Sequence, residues 1–285
     1  MRASVRLWAA CALLSAAGCA APSRESLSSF REGLSAVQKE SRAVFLEVNR
    51  TARRTQLDRV ETLAMLKESD VAPALPPASI ADWNRALEAL AAYASSLEIL
   101  TAPGRGAEVE TSVAALGRRI EATTPAGPGE LTRALAHLGG LLTRGIAGAV
   151  ARDVMQDADP HVRDVLTRMA DMIGADPGAG GVRTTVYSNW TLLADETRKG
   201  FPEAAATRKR RIAGTWTEQL EAREAADAAL AAIRQSLLDL ADAHTAASQG
   251  RAVDAARMVA FLREEVAFAS KLLKRVHVAD PGEPR

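Results

Sequence analysis

From Leu27 to Val48 the apolar residues fall at alternating spacings of three and four. The set is Leu27, Phe30, Leu34, Val37, Val44 and Val48, with Ser41, Thr51 and Thr55 continuing the register as weaker members. Only a helix brings positions with that spacing onto one stripe, so the segment is predicted to be an amphipathic helix with a heptad seam that something must cover. The next apolar set, Val60, Leu63 and Leu66, is displaced in phase and reads as a stutter before Pro73, Pro76 and Pro77 stop the helix. A helix of about 45 residues is expected, ~68 Å long at 1.5 Å per residue. A second run of similar length is expected after Pro202-Glu203 and up to Gly250, with Ile212, Trp216, Leu220, Leu230, Ile233, Leu237 and Leu240 on one face.

Composition agrees with helices and argues against sheets. The hydrophobic share is 47% while aromatics make up only 4%; alanine and leucine dominate, whereas strands enrich β-branched and aromatic residues. Charged residues at 25% mark a globular chain and not a disordered one. Between the two long helices, Ser79 is the expected N-cap of a helix carrying Ile80, Trp83, Leu87, Leu90, Tyr93, Leu97 and Leu100, stopped by Pro103-Gly104. A further helix holds Val109, Val113, Leu116 and Ile120, and another runs from about Glu130 to Gln156 with Leu135, Leu138, Leu142, Ile146 and Val150. Asp159-Pro160 reads as cap and first position of a short helix through Met172, and Val186, Trp190 and Leu193 mark one ending at Gly200. A last helix follows Gly250 with Val253, Val259, Leu262, Val266, Leu273 and Val276. The expected fold is all-α: an elongated multi-helix bundle with long amphipathic helices and a C-terminal antiparallel helical hairpin.

The first residues carry a different signal. Arg2 and Arg6 precede an apolar run too short to span a bilayer, which closes on Ser15-Ala16-Ala17-Gly18-Cys19. Small residues ending in Gly-Cys resemble the lipobox of bacterial lipoproteins. That resemblance covers the signal alone. It implies cleavage before Cys19, acylation of Cys19, and, with Ala20 and not aspartate next, an outer-membrane address facing the periplasm. The alternative is an ordinary secretory signal cut after Ala17, leaving a soluble exported protein. Cys11 lies inside the signal, so Cys19 would be the single mature cysteine and no internal disulfide could form. Covalent lipid on Cys19 accounts for it, and no other cofactor is expected. The division expected is 1–18 signal peptide, 19–25 tether, 26–174 N-terminal helical region, 175–181 glycine-rich loop, 182–279 C-terminal helical region and 280–285 tail.

The chemistry-bearing residues do not assemble into a catalytic motif. Losing Arg2 and Arg6 takes the formal charge from +1 to −1, which argues against a nucleic-acid binder. His137, His161 and His277 lack carboxylates at ligand spacing, and Asp239, Asp242 and His244 read as a solvated helix face; no metal is expected. Glu40-Ser41 and Glu68-Ser69 are similar to the Glu-Ser pair of peptidoglycan-cleaving transglycosylases, but the surrounding motifs are absent and Ser41 sits in the seam. Asn49-Arg-Thr51 and Asn189-Trp-Thr191 match glycosylation acceptors, matches that the resemblance to a bacterial lipobox implies are accidental. The glycines of Gly139–Gly148 read as close helix packing, or as a membrane-inserting element burdened by His137 and Arg144. Arg208, Lys209, Arg210 and Arg211, with Arg198 and Lys199 upstream, are the strongest charge run. They read either as an anionic-surface binding site or as a solvated face balanced by Glu218, Glu221 and Glu224.

The function expected from these features is a non-catalytic helical scaffold or adaptor of the cell envelope, attached to the membrane through Cys19 and binding another envelope protein or its own copy. A helical membrane-perturbing protein and an unrecognised cell-wall enzyme are the alternatives.

Overall fold

Ser23 opens the first helix: its Oγ accepts the Ser26 amide hydrogen at 3.1 Å, the usual service of a capping serine to an orphan donor. In a computed structural model, which describes residues 22–60, 65, 67–101, 111, 115–116, 118, 135–140 and 151–278, seven helical elements follow in order. They are α1 (Arg24–Val60), a 3-10 helix η1 (Glu68–Val71), α2 (Pro77–Leu100), α3 (Ala151–Ile173), α4 (Gly181–Lys199), α5 (Ala206–Ser248) and α6 (Ala256–Val278). Residues 135–140 are also helical, and no strand occurs among the described residues. The fold is an all-α helical bundle.

The seam of α1 is used inside the chain. Leu27, Phe30, Leu34, Val37, Val44 and Val48 are all buried, and so is Ser41, which holds the predicted register. α1 begins at Arg24, inside the stretch expected to be a tether, and extends to Val60. The continuous helix expected up to Pro73 does not form, because Glu68–Val71 turn as a 3-10 helix. Side chains of α1 bind the backbone that follows: Asn49 Nδ2 donates to the Leu75 carbonyl at 2.9 Å, the Leu75 amide donates to Asn49 Oδ1 at 2.7 Å, and Gln56 Nε2 donates to the Ala72 carbonyl at 3.1 Å. The amide of Asn49 is thereby spent on folding, not displayed for glycosylation.

Two further boundaries differ from expectation. α2 starts at Pro77, so Ser79 lies within its first turn instead of capping it; a proline at the first position has no N–H to leave orphaned. α3 runs unbroken through Pro160. An interior proline costs about 3 kcal/mol, yet Met155, Ala158, Val162, Val165, Leu166 and Met169 form one buried stripe on both sides of it, and that burial outweighs the lost hydrogen bond. The Asp159 carboxylate, expected as a cap, is engaged elsewhere.

Between α3 and α4 the chain turns on glycines, and Gly181, expected in the loop, is the first residue of α4. Gly174 and Gly181 have φ of 96° and 79°, and a Cβ on either would meet a backbone carbonyl oxygen, that of Gly180 for the first and that of Met172, at 2.6 Å, for the second. Arg183, nearly buried at the start of α4, donates two hydrogen bonds of 2.7 Å to the Asp227 carboxylate of α5 and another to the Ala175 carbonyl. That bidentate pairing holds the loop to α5 and raises the Arg183 pKa. Gly250, at φ 73°, ends α5 in a Schellman motif: the Arg251 and Gly250 amides donate to the Ala246 and Ala247 carbonyls, both at 2.9 Å.

The helices pack as two compact units. Among the described residues, one comprises those within 22–34, 85–166 and 239–256, the other those within 35–84, 167–238 and 257–278, so α1, α2, α3 and α5 each contribute to both. These units differ in composition from the regions on either side of the glycine-rich loop, because a break in the chain need not be a break in the packing. In the second unit Trp83 donates its indole N–H to Ser41 Oγ at 2.9 Å and meets Phe45 edge-on at 5.3 Å. Buried alanines on α5 (Ala222, Ala225, Ala226, Ala229, Ala232) keep its neighbours close.

Candidate functional site

His244 is fully buried, which corrects its reading as part of a solvated face; Asp239 and Asp242 of the same group are exposed as expected. Leu230, Ile233, Leu237, Leu240, His244 and Ala247 lie at spacings of three and four, so His244 continues the buried seam of α5. Its ring Nδ1 is 2.7 Å from Asp159 Oδ1 of α3, and its Nε2 is 2.9 Å from the Tyr93 hydroxyl of α2. Phe30 of α1 packs against the ring at 5.4 Å between centroids. The network ties four helices of the first unit together.

Protonation follows from the surroundings. Burial pushes the His244 imidazole below its ordinary value despite the neighbouring carboxylate, and burial beside Asp159 pushes the Tyr93 phenol well up. The assignment that satisfies every atom has Tyr93 O–H donating to Nε2 of a neutral imidazole and Nδ1–H donating to Asp159. Desolvation works against ionisation of Asp159. Hydrogen bonds from His244 and Thr245 and the charge of Arg163 outweigh it and hold the carboxyl below its ordinary value. Thr245 Oγ1 lies 3.0 and 3.1 Å from the two Asp159 oxygens, and Arg163 donates to Thr245 at 3.2 Å and to Asp242 at 2.6 Å. The chain Tyr93–His244–Asp159 has the order of a proton relay. With Tyr93 and His244 both at 0% exposure, no substrate atom can reach either end of the imidazole.

Two of the other histidines meet each other. His137 and His161 stack in parallel, 5.6 Å between centroids and 8° between planes, so their ring nitrogens do not converge on a point. Among the described residues no group of three or more His, Cys, Asp or Glu could hold a metal ion. Ser41 accepts the Trp83 N–H and donates to the Gln38 carbonyl at 3.2 Å, which occupies the hydroxyl of the Glu40-Ser41 pair. Glu68-Ser69 lies in η1.

The basic run sits at the start of α5, in the second unit. Arg208, Arg210 and Arg211 are exposed, and the Lys209 ammonium lies 5.4 Å from the ring centroid of Phe201, in the turn between α4 and α5. Arg198 and Lys199 pair with Asp195 and Glu196 one turn back, at 3.4 and 2.5 Å. Ile212, Trp216 and Leu220, expected on the apolar face of α5, are only half-buried; the buried part of that face begins beyond them. Cys19 and the signal residues lie outside the described residues, as do residues 141–150 of the glycine-studded stretch, His277's side chain and the 280–285 tail.

No family model, curated protein or solved structure matches this chain. Among the described residues no helix is long and apolar enough to cross a membrane.

Proposed function

We propose that the protein is a membrane-anchored lipoprotein of the bacterial cell envelope, a non-catalytic helical scaffold or adaptor that binds another envelope protein. The observation that carries the adaptor reading is on α6. Phe261 and Phe268 lie seven residues apart and are 48% and 56% exposed, with half-buried Met258 and Leu272 extending the same stripe at heptad spacing and Glu265 as its one acidic member. The inner seam of that helix, Leu262, Val266, Ala269 and Leu273, is already buried. An apolar stripe left outside a satisfied seam is the kind of surface that marks a protein contact. The non-catalytic reading draws support from the inaccessibility of the Asp159–His244–Tyr93 chain. The anchor rests on Ser15-Ala16-Ala17-Gly18-Cys19, with Cys19 as the lipid attachment site and the outer membrane as the destination.

The test is capture of partners from envelope membranes by the lipidated protein, by Cys19→Ala, and by Phe261→Ser/Phe268→Ser. After a high-salt wash that removes electrostatically held protein, the expected result is membrane association lost only with Cys19→Ala, and a captured envelope protein lost with the double serine variant. Capture of the same proteins by the double variant overturns the α6 surface; equal membrane association of Cys19→Ala after the high-salt wash overturns the anchor.

A further inference from the structure

We infer that the α4–α5 corner of the second unit is a docking surface for the anionic headgroups of a phospholipid bilayer, with Phe201, Ile212 and Trp216 entering the apolar boundary beneath them. The inference deepens the envelope reading above, which places the protein beside a bilayer, but it uses residues distinct from Cys19 and from the α6 stripe.

Three observations converge on it. Residues 198–211 hold six cations and a single carboxylate, Glu203; Arg198 and Lys199 are matched by Asp195 and Glu196 one turn back, which leaves the four cations of 208–211 against Glu203. Among the described residues, no carboxylate lies within ion-pair reach of Arg208, Arg210 or Arg211. Their position is electrostatically costly: the start of a helix carries partial positive charge and favours acidic side chains, and α5 has none in its first turn. Cations kept where they oppose the helix call for an anionic counterpart.

The second observation is coverage. Not one residue of 206–218 is buried, although Ile212 and Trp216 lie on the side that leads into the α5 core. The third is the turn itself. Phe201 is 39% exposed, held by hydrogen bonds from its amide to the Arg198 carbonyl at 3.0 Å and from the Ala204 amide to its own carbonyl at 3.3 Å. Ile212 Cδ1 comes within 3.9 Å of the Cβ position of Gly200, next to Phe201. Apolar groups are thus set among the cations. A bilayer surface offers both complements at the matching depth, phosphates outside and acyl chains beneath, whereas a polyanion offers only the charge.

The experiment uses the full chain carrying Cys19→Ser, so that no acyl chain contributes, with vesicles of phosphatidylcholine containing 30 mol% phosphatidylglycerol (a chosen composition of roughly this anionic content). Trp83 and Trp190 are buried, so quenching by brominated lipid reports Trp216 among the described tryptophans, and Trp216→Phe is its control. The expected result is co-sedimentation with the anionic vesicles, suppressed by high salt, and quenching that Trp216→Phe removes. Arg208→Glu/Arg210→Glu/Arg211→Glu should bind about 100-fold more weakly, and Phe201→Ser roughly 10-fold. The glutamates suit a helix start, so the triple variant should melt no lower than the parent.

Equal binding to pure phosphatidylcholine, no binding to the anionic vesicles, or undiminished binding by the triple variant overturns the inference. So does binding to lipopolysaccharide micelles with none to phosphatidylglycerol. None of these outcomes bears on partner capture through Phe261 and Phe268, so the two readings fail separately.

Discussion

At His244 a single side chain is asked to satisfy a phenol on one side and a carboxylate on the other while surrendering all its contact with water. Removing it leaves the Tyr93 hydroxyl and part of the Asp159 carboxylate without partners, each worth about 1–3 kcal/mol. His244→Ala should therefore lower the unfolding free energy by about 3 kcal/mol, read from urea melts at pH 7.5. The same group sets a pH dependence. Its folded pKa lies below the ordinary 6.5, so as pH falls through that value the unfolded chain takes up a proton that the native network refuses, and stability drops. The loss continues until the folded pKa is reached, and Asp159, held below its ordinary 3.8, adds a loss of the same sign at more acid pH. Melts at pH 7.5 and 5.5 should show the native protein less stable at 5.5, and His244→Ala should flatten that difference; an unchanged slope would assign it to other groups. Gly174→Ala should cost about 2 kcal/mol or more, because it adds strain at positive φ and drives a Cβ into the Gly180 carbonyl. Thermal melts of this variant beside Gly180→Ala, a left-handed position with open space around it, separate the clash from the strain.

Among the elements, the long helices were legible because their periodicity is long. The seam of α1 and the span of α5, at 43 residues, follow from spacing alone, and the caps at Gly174 and Gly250 follow from glycine. Ends set by partners distant in sequence were not legible. Nothing in Asn49 or Gln56 announces that they will grip the backbone 26 and 16 residues ahead, yet those bonds stand where a continuous helix was expected. Asn49→Ala should release the 72–75 segment without unfolding α1. Hydrogen exchange at the Leu75 amide checks this: it should speed up by at least tenfold, while amides in the middle of α1 stay protected. Similarly, α3 keeps going through Pro160 because apolar contacts on both sides outweigh a local break, a balance that no dipeptide rule contains.

For the whole molecule, attachment is argued from five residues and the fold from the helices. If Cys19 is acylated, the native protein should partition into the detergent phase on Triton X-114 extraction and Cys19→Ala into the aqueous phase; aqueous partition of both would return the soluble exported alternative. The sequence by itself determined the class of the fold, the seam of α1, the glycine turns and the absence of a recognised catalytic motif, because each depends on residues near one another along the chain. It also contained the register that buries His244, although the neighbouring aspartates concealed it. Only the tertiary structure decided that Asp159 and Tyr93 meet that histidine, that the apolar face of α5 is left half-covered beside its cations, and that Phe261 and Phe268 remain outside. Those outcomes depend on which helix faces another helix lies against, and a periodic pattern states that a face is apolar without stating what will cover it.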